Sequence, residues 1–169
     1  MRTMKTPNSV PRARVIELLE YVPSTGEFKW LRNGRGKYMR QGAPAGRVSK
    51  DGYLVTTVDG HLCMAHRLAW LVATGTWPTG EIDHIDGDKL NNRISNLRDV
   101  SRRVNQQNAR RVRADSKVGV QGVAMCRGRP TANVWVDGKR RYIGTFKTVE
   151  QAHQAYIAAK RQHHEGCTL

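Results

Sequence analysis

The stretch from Glu81 to Asn108 constrains the fold more than any other part of the chain. Asp83-His84 is followed by a loop rich in Asp, Gly and Asn, and then by Asn96-Leu97 and a polar segment that carries Asn105 and Asn108. This order of apolar and polar positions predicts a short strand, a loop, a second strand and a helix. The acid and the histidine would then lie at one edge of a small, well-defined motif.

The composition favours a polyanionic partner. The 169 residues include 29 Lys and Arg against 14 Asp and Glu, with a formal charge of +15 and a pI near 10.5. Such a balance suits phosphate contacts and counterion release, so nucleic acid is the first candidate. A ribosomal or merely soluble basic protein is the alternative that charge alone leaves open.

The cysteines and the N-terminus predict a soluble, intracellular protein. Cys63, Cys126 and Cys167 are far apart and form no C-x-x-C pair, which favours neither a disulfide framework nor structural zinc. The N-terminal residues are basic and contain no apolar run of a signal peptide, and no later run reaches the length of a membrane span.

The central motif has the groups that phosphodiester hydrolysis requires. A neutral imidazole can take the proton from water, so His84 is the predicted general base. Asp83 and Asn105 offer hard oxygen ligands for one Mg²⁺ or Mn²⁺ ion, with Asn108 as the alternative to Asn105. Asn96 would clamp the loop between the strands. Because neighbours on a regular strand face opposite sides, Asp83 and His84 must sit at a strand end or a distortion.

A calcium loop at Asp83, Asp86 and Asp88 is the competing interpretation of these acids. An EF-hand requires a bidentate Glu at its twelfth position, where this chain has Ile94. The pattern therefore disfavours calcium.

The segments before the motif predict further small elements. A helix should run from Pro11 to about Tyr21, followed by a turn at Ser24–Gly26. The Gly-rich stretch from Arg32 to Lys50 is either a disordered loop or an arm that orders on DNA. We expect its residues Arg35, Lys37 and Arg40 to contact DNA.

A hairpin and a buried helix follow that stretch. Asp59-Gly60 is a two-residue turn between strands, and a helix should span Ala65 to Thr74 with Gly75 as its stop. His66 at its start is a candidate for contacting phosphate or for supporting the site, and Arg67 is a candidate for supporting it, although a histidine at a helix start is more often structural.

Residues from about 15 to 112 resemble the HNH homing endonucleases of phages and introns. The resemblance rests on Asp83-His84 with Asp-Gly after it, on Asn96 twelve residues beyond His84, and on Asn105 nine further. It implies a ββα-metal fold that cuts DNA beside one divalent ion, often nicking one strand. It also implies catalytic roles for Asp83, His84, Asn96 and Asn105.

The second half predicts three strands and a helix. The strands are expected at Gly119–Val123, Ala132–Val136 and Tyr142–Phe146, and the helix from a Thr148/Gln151 capping box to about His164, with Gly166 as its stop. Alternation places Ala132, Val134 and Val136 toward the helix. The opposite, exposed face carries Asn133, Trp135, Arg140 and Tyr142 and would then meet DNA, with four more predicted contacts near its edges: Arg127, Arg129, Lys139 and Arg141.

This segment, from about Val118 to Gly166, resembles AP2-type DNA-binding domains. The Gly-Val-x-Gly-Val opening, the Gly138-Lys139 turn, Ile143–Phe146 and the Ala-rich helix carry the likeness. The resemblance implies a three-stranded sheet that reads DNA. Ala124 and Cys126 stand where that family presents arginines, so the first strand is expected to add little base specificity.

The sequence as a whole predicts an α+β protein with two domains, residues 1–112 (HNH nuclease) and 118–169 (AP2-like), joined by a linker at 113–117. The predicted function is that of a monomeric, metal-dependent, site-specific endonuclease acting on double-stranded DNA in a phage-infected bacterial cell. Two rivals stay open: a DNA-binding regulator without catalysis, and an RNA-binding or RNA-processing protein.

Overall fold

The computed structural model of the protein describes residues 10–34, 38–108, 112 and 116–168. The chain divides into two compact units, Met1–Ser101 and Arg102–Leu169. Both contain helices and strands, so the predicted mixed α and β class is confirmed. Arg35 and Lys37 of the basic stretch, and most of the predicted linker, lie outside the described residues.

The first unit begins with a helix and a hairpin. Helix α1 spans Arg12–Leu18, and strands β1 (Leu19–Val22) and β2 (Glu27–Trp30) pair antiparallel. The turn at Ser24–Gly26 is confirmed, whereas the prediction that the helix continues to Tyr21 was wrong. Leu19 leaves the helix because its backbone pairs with Trp30, and both side chains are buried in the core.

A second sheet and a buried helix complete the scaffold. Strands β3 (Arg47–Val48), β4 (Leu54–Val58) and β5 (His61–Met64) form an antiparallel sheet in that order. The predicted hairpin turn is present, with positive φ at Asp59 and Gly60. Helix α2 (Ala65–Thr74) follows β5 and ends at Gly75, which has a φ of 88°, as predicted.

The central motif folds as a small hairpin. Strands β6 (Glu81–His84) and β7 (Leu97–Val100) pair antiparallel, and one turn of 3-10 helix at Ile94–Asn96 leads into β7. Ile82 and Leu97 from the two strands join the core that α1, β2 and α2 also line. This burial fixes the hairpin on the scaffold, since its apolar side chains cannot turn to solvent without loss of hydrophobic stabilisation.

The second unit contains the predicted sheet and helix. It comprises α3 (Arg102–Gln107), β8 (Val123–Cys126), β9 (Arg129–Val136), β10 (Lys139–Thr145) and α4 (Val149–His163), with sheet order β10-β9-β8. Ala132, Val134 and Val136 are buried against α4, as the alternation predicted.

The predicted start of the first strand and the predicted helix stop in this unit were wrong, and β9 and β10 each begin three residues earlier than predicted. The first strand begins at Val123 rather than at Gly119, because Gly119 and Gly122 adopt positive φ. At Gly122 a Cβ atom would lie 2.0 Å from the Tyr156 ring, so the glycine is needed for this close approach. Helix α4 ends at His163 with an extended residue after it, so Gly166 is not its stop.

Helix α3 is held by residues near the C-terminus. A Cβ atom on Gly166 would lie 2.1 Å from the carbonyl oxygen of Val104, and the Gly166 amide donates to Gln107 Oε1 at 3.2 Å. The Thr168 hydroxyl donates to the side-chain oxygen of Asn108, the residue after the helix. The close backbone approach explains the glycine at position 166.

Among the residues that the model describes, no helix is both long and apolar enough to cross a membrane.

Candidate active site

His84 lies at the C-terminal end of β6 and is only 5% exposed. Its Nε2 atom is 3.2 Å from the side-chain oxygen of Asn92, which is itself fully buried. Asn92 is oriented by a bond from its amide nitrogen to the carbonyl oxygen of Leu90 at 3.2 Å. The expected strand-end location of His84 is confirmed.

This contact defines the tautomer of a neutral His84. The amide nitrogen of Asn92 faces a carbonyl oxygen, which can only accept, so the amide oxygen must be the atom that faces His84. An amide oxygen also only accepts, and therefore Nε2 of His84 carries the proton. Nδ1 is then the basic nitrogen of the ring.

Asp83 is a buried carboxylate held by Arg98 from the facing strand. The two residues are partners in the β6–β7 register, and Asp83 Oδ2 accepts from Nε and Nη2 of Arg98 at 2.9 and 2.7 Å. The Asp83 side chain is 7% exposed and that of Arg98 26%. The guanidinium compensates the charge of a carboxylate that burial would otherwise disfavour.

Asn96 ties the loop between the strands together. Its amide nitrogen donates to Asp86 Oδ1 and to the carbonyl oxygen of Asn91, both at 2.9 Å, and its side-chain oxygen accepts from the Asp86 amide at 3.0 Å. Burial acts to raise the pKa of Asp86, but the hydrogen bonds from Asn91 and Asn96 hold it below its usual value. Asn96 thus holds the loop through hydrogen bonds to backbone and side-chain atoms, as expected from the sequence.

The β1–β2 hairpin supports the same loop from the other side. The Tyr21 hydroxyl donates to the carbonyl oxygen of Asn92 at 2.8 Å, and Arg93 Nε donates to the carbonyl oxygen of Ser24 at 2.5 Å. Gly26 lies so close that a Cβ atom there would be 2.5 Å from Arg93 N and from the Asn92 carbonyl carbon. The backbone of Asn92, and through it His84, is therefore fixed by the N-terminal hairpin.

His66 and Arg67, the candidates for support, differ in their surroundings. The His66 ring centroid is 5.1 Å from that of His84, so the two histidines are in contact. Arg67 donates to the carbonyl oxygens of Gly80 and Pro78 at 3.3 and 3.4 Å, which ties α2 to the residues before β6.

Asn105 and Asn108 lie in the second unit, on α3 and directly after it. Asn105 is half-buried. Asn108 is 4% exposed, and its side-chain oxygen accepts from Thr168. A structural role therefore explains Asn108, and Asn105 stays the predicted ligand.

Three residues of the site were missed in the sequence. Asn92 belongs to the Asn91-Asn92 pair of the motif, but the sequence does not indicate which of the two amides contacts the histidine. Arg98 faces Asp83 only because of the strand register, which depends on a loop whose path the sequence does not fix. Tyr53, before β4, has its ring centroid 6.2 Å from that of His84.

The candidate DNA-binding face of the second unit is exposed. Trp135 and Tyr142 are 63% and 66% exposed, and the register places Arg140 opposite Trp135 and Tyr142 opposite Asn133. Ala124 and Cys126 on β8 are exposed too. The remaining predicted contacts in this unit are also exposed: Arg127, Arg129, Lys139 and Arg141.

The donors available for a metal are oxygen atoms. Within the described part of the chain no group of three or more His, Cys, Asp or Glu side chains is arranged to hold a metal ion. Asp83, the residue before His84, provides a carboxylate oxygen, and the chemistry of this donor fits a hard divalent cation. Its carboxylate is oriented by Arg98.

The geometry is that of a buried histidine on a hairpin with its loop clamped by an asparagine, and residues 63–107 match the family model described as HNH endonuclease. The predicted enzyme class, an HNH endonuclease, is thus confirmed for this part of the chain. A similar solved structure is that of "DNA binding and cleavage by the HNH homing endonuclease I-HmuI", with 22% identity over 88% of each chain and a TM-score of 0.39. No curated protein matches the chain.

Proposed function

We propose that the chain is a metal-dependent, site-specific DNA endonuclease of the homing type, with His84 as the general base. The observation that carries the proposal is the contact between His84 Nε2 and Asn92 Oδ1 inside the segment that matches the HNH endonuclease model. A histidine that is buried, anchored through one nitrogen and basic at the other is suited to take a proton from water.

Asp83 and Asn105 would hold one divalent cation, Mg²⁺ or Mn²⁺. Both residues fall within the segment that matches the family model. When bound, the cation would neutralise charge on the phosphate and on the departing 3′ oxygen. Arg98 keeps the Asp83 carboxylate in one orientation, so less side-chain entropy is lost when a ligand binds there.

DNA would be bound by two sets of side chains. One is the basic stretch of the first unit, where Arg40 is exposed and Arg35 and Lys37 are proposed from the sequence. The other is the exposed face of the β8–β10 sheet, an AP2-like module in which Trp135, Arg140 and Tyr142 stand together. Two modules on one chain raise the effective concentration of the second contact, so a monomer can recognise a long double-stranded site.

A nicking assay tests the proposal. A supercoiled plasmid library is incubated with the protein in Mg²⁺, in Mn²⁺ and in EDTA, and open-circular and linear products are measured and sequenced. We expect metal-dependent cutting at a restricted set of sites. His84→Ala should abolish cutting and leave DNA affinity within about twofold, because the residue acts on the water rather than on binding.

The rival functions give different results. A regulator without catalysis would bind duplex DNA but leave the plasmid intact with every metal. An RNA-binding or RNA-processing protein would bind RNA more tightly than duplex DNA of the same length at the same salt concentration.

A further inference from the structure

Three rings meet at the candidate general base. The centroid of His66 is 5.1 Å from that of His84 at an interplanar angle of 86°, and 5.3 Å from that of Tyr53 at 61°. The Tyr53 and His84 centroids are 6.2 Å apart, so each ring contacts the other two. We call Tyr53, His66 and His84 the three-ring cluster.

The cluster is anchored on the outside by a lysine. The ammonium group of Lys89 lies 4.5 Å from the centroid of Tyr53 and donates to the carbonyl oxygen of Asp51 at 2.9 Å. A cation over an aromatic face is attractive. Tyr53 is thereby kept against His66 by the same loop that carries Asn92.

His66 contributes its ring rather than a hydrogen bond. Its side chain is 7% exposed, and its Nδ1 atom is buried without a hydrogen-bond partner among the described residues. Burial, with smaller contributions from His84 and Arg67, lowers the pKa of His66 to about 3, so the ring is neutral near neutral pH. A core histidine that served stability would be expected to satisfy its buried nitrogen, because an unmet polar atom costs about 1–3 kcal/mol.

We propose that His66 is a positioning residue for cleavage: its ring, backed by Tyr53, holds the His84 imidazole in the orientation that its contact with Asn92 defines. His84 is then fixed by a hydrogen bond at Nε2 and by a flat ring packed against it. In this role His66 acts through His84 and not directly on DNA or on the attacking water. This inference rests on the proposed function, since it assigns a role within that reaction.

The choice of variants follows from this role. His66→Leu fills a similar volume and removes the unmet nitrogen but provides no flat ring. His66→Phe restores a flat ring in a slightly larger form. His61→Leu, on the first residue of β5 and outside the three-ring cluster, is the matched control.

Kinetics and melting temperatures separate positioning from stability. We expect His66→Leu to melt at or above the wild-type temperature while kcat falls about tenfold or more with KM for DNA unchanged, because a misplaced catalytic group lowers turnover. We expect kcat of His66→Phe to stay within about threefold of wild type, and His61→Leu to match wild type. Wild-type kcat in folded His66→Leu, or equal losses in His66→Leu and His66→Phe, would overturn the proposal.

A second readout does not depend on cleavage. Long-range ¹H–¹⁵N spectra of the His84 ring should show a single Nε2–H tautomer in wild type and in His66→Phe, and a mixture of tautomers in His66→Leu. If wild type cuts no DNA, the proposed function fails and the spectra still test the positioning. If His84 keeps one tautomer in His66→Leu, the positioning fails even when the endonuclease is active.

Discussion

The buried pair of Asp83 and Arg98 links stability to the site at the scale of single residues. Removing Arg98 would leave a carboxylate that is 7% exposed without its counter-charge. Losing one partner of a buried pair costs about 3–5 kcal/mol, and a cost at or slightly below the lower end of this range is expected because Arg98 is partly exposed. We therefore expect Arg98→Ala to lower the free energy of unfolding by about 2–3 kcal/mol in chemical denaturation.

The double variant Asp83→Asn/Arg98→Ala should recover most of that loss, because no charge is then left buried. Arg103→Ala is the matched control, since Arg103 and Asp137 form an ion pair whose side chains are 74% and 67% exposed. Its removal should leave stability unchanged within error. An equal loss in both single variants would contradict the buried-pair argument.

The lowered pKa of His66 also predicts how the free energy of unfolding depends on pH. Its pKa falls from 6.5 to about 3 on folding, so between these values the unfolded chain binds a proton that the folded chain does not. Stability should therefore fall as the pH is lowered from about 6.5 toward 3, with a slope of up to about 1.4 kcal/mol per pH unit from this group. Above pH 6.5 both states are neutral and the contribution vanishes.

Denaturation of wild type and His66→Phe across that range measures the effect. The difference in unfolding free energy between the two proteins should grow as the pH falls, because phenylalanine cannot bind the proton. The groups facing His66 are the same in both proteins: Tyr53, His84 and Arg67. A pH-independent difference would show that His66 titrates normally in the folded state.

At the scale of elements, the β1–β2 hairpin should control the motif that it contacts. Gly26 has a φ of 78° and leaves no space for a Cβ atom beside Asn92 and Arg93. Gly26→Ala must displace backbone, so we expect a loss of stability above about 2 kcal/mol and slower cleavage, since the shift reaches the residue that orients His84. Melting curves and single-turnover rates measure the two effects.

Gly60→Ala is the control that separates the cost of backbone strain from the cost of the steric clash at Gly26. Gly60 has a similar φ of 82° but open space around it, so its variant carries only the conformational cost of about 1 kcal/mol. Cleavage by folded Gly60→Ala should equal that of wild type. Equal losses in the two variants would show that the contact with Asn92 has no consequence.

At this scale, an element could be predicted from the sequence when neighbouring residues determine it and could not when contacts between distant segments do. The Asp59-Gly60 turn, the Gly75 helix stop and the alternation along β9 were readable because each depends on neighbouring residues. The end of α1 was misjudged because pairing with β2 overrides helical periodicity at Leu19. Arg98, Asn92 and the three-ring cluster depend on register and packing between distant segments, which one sequence does not display.

At the scale of the whole molecule, residues 113–169 of the second unit should provide affinity for DNA and also support α3. Deleting residues 113–169 removes the β8–β10 face and the contacts that Gly166 and Thr168 make with α3 and Asn108. We expect weaker DNA binding with a smaller dependence on salt, because fewer phosphate contacts are made. We also expect slower cleavage at saturating DNA, because the helix that carries Asn105 loses its packing partners.

Replacing Trp135, Arg140 and Tyr142 together by Ala in the full chain isolates the first effect. This variant keeps the contacts that Gly166 and Thr168 make with α3 and Asn108, so its affinity for DNA should fall while its cleavage rate at saturating DNA stays near wild type. Salt-dependent binding curves and single-turnover rates distinguish the two proteins. A truncated chain that binds weakly but cuts at the wild-type rate would show that α3 needs no support from the C-terminal residues.

The bond from Thr168 to Asn108 spans 60 positions of sequence and ends one turn from the proposed ligand Asn105. If Asn105 is the ligand, as proposed, substitutions at Thr168 would thus act on metal affinity through Asn108 and α3. Sequence changes at this position would then adjust how strongly the proposed cation is held, while the proposed DNA-binding face and His84 keep their residues.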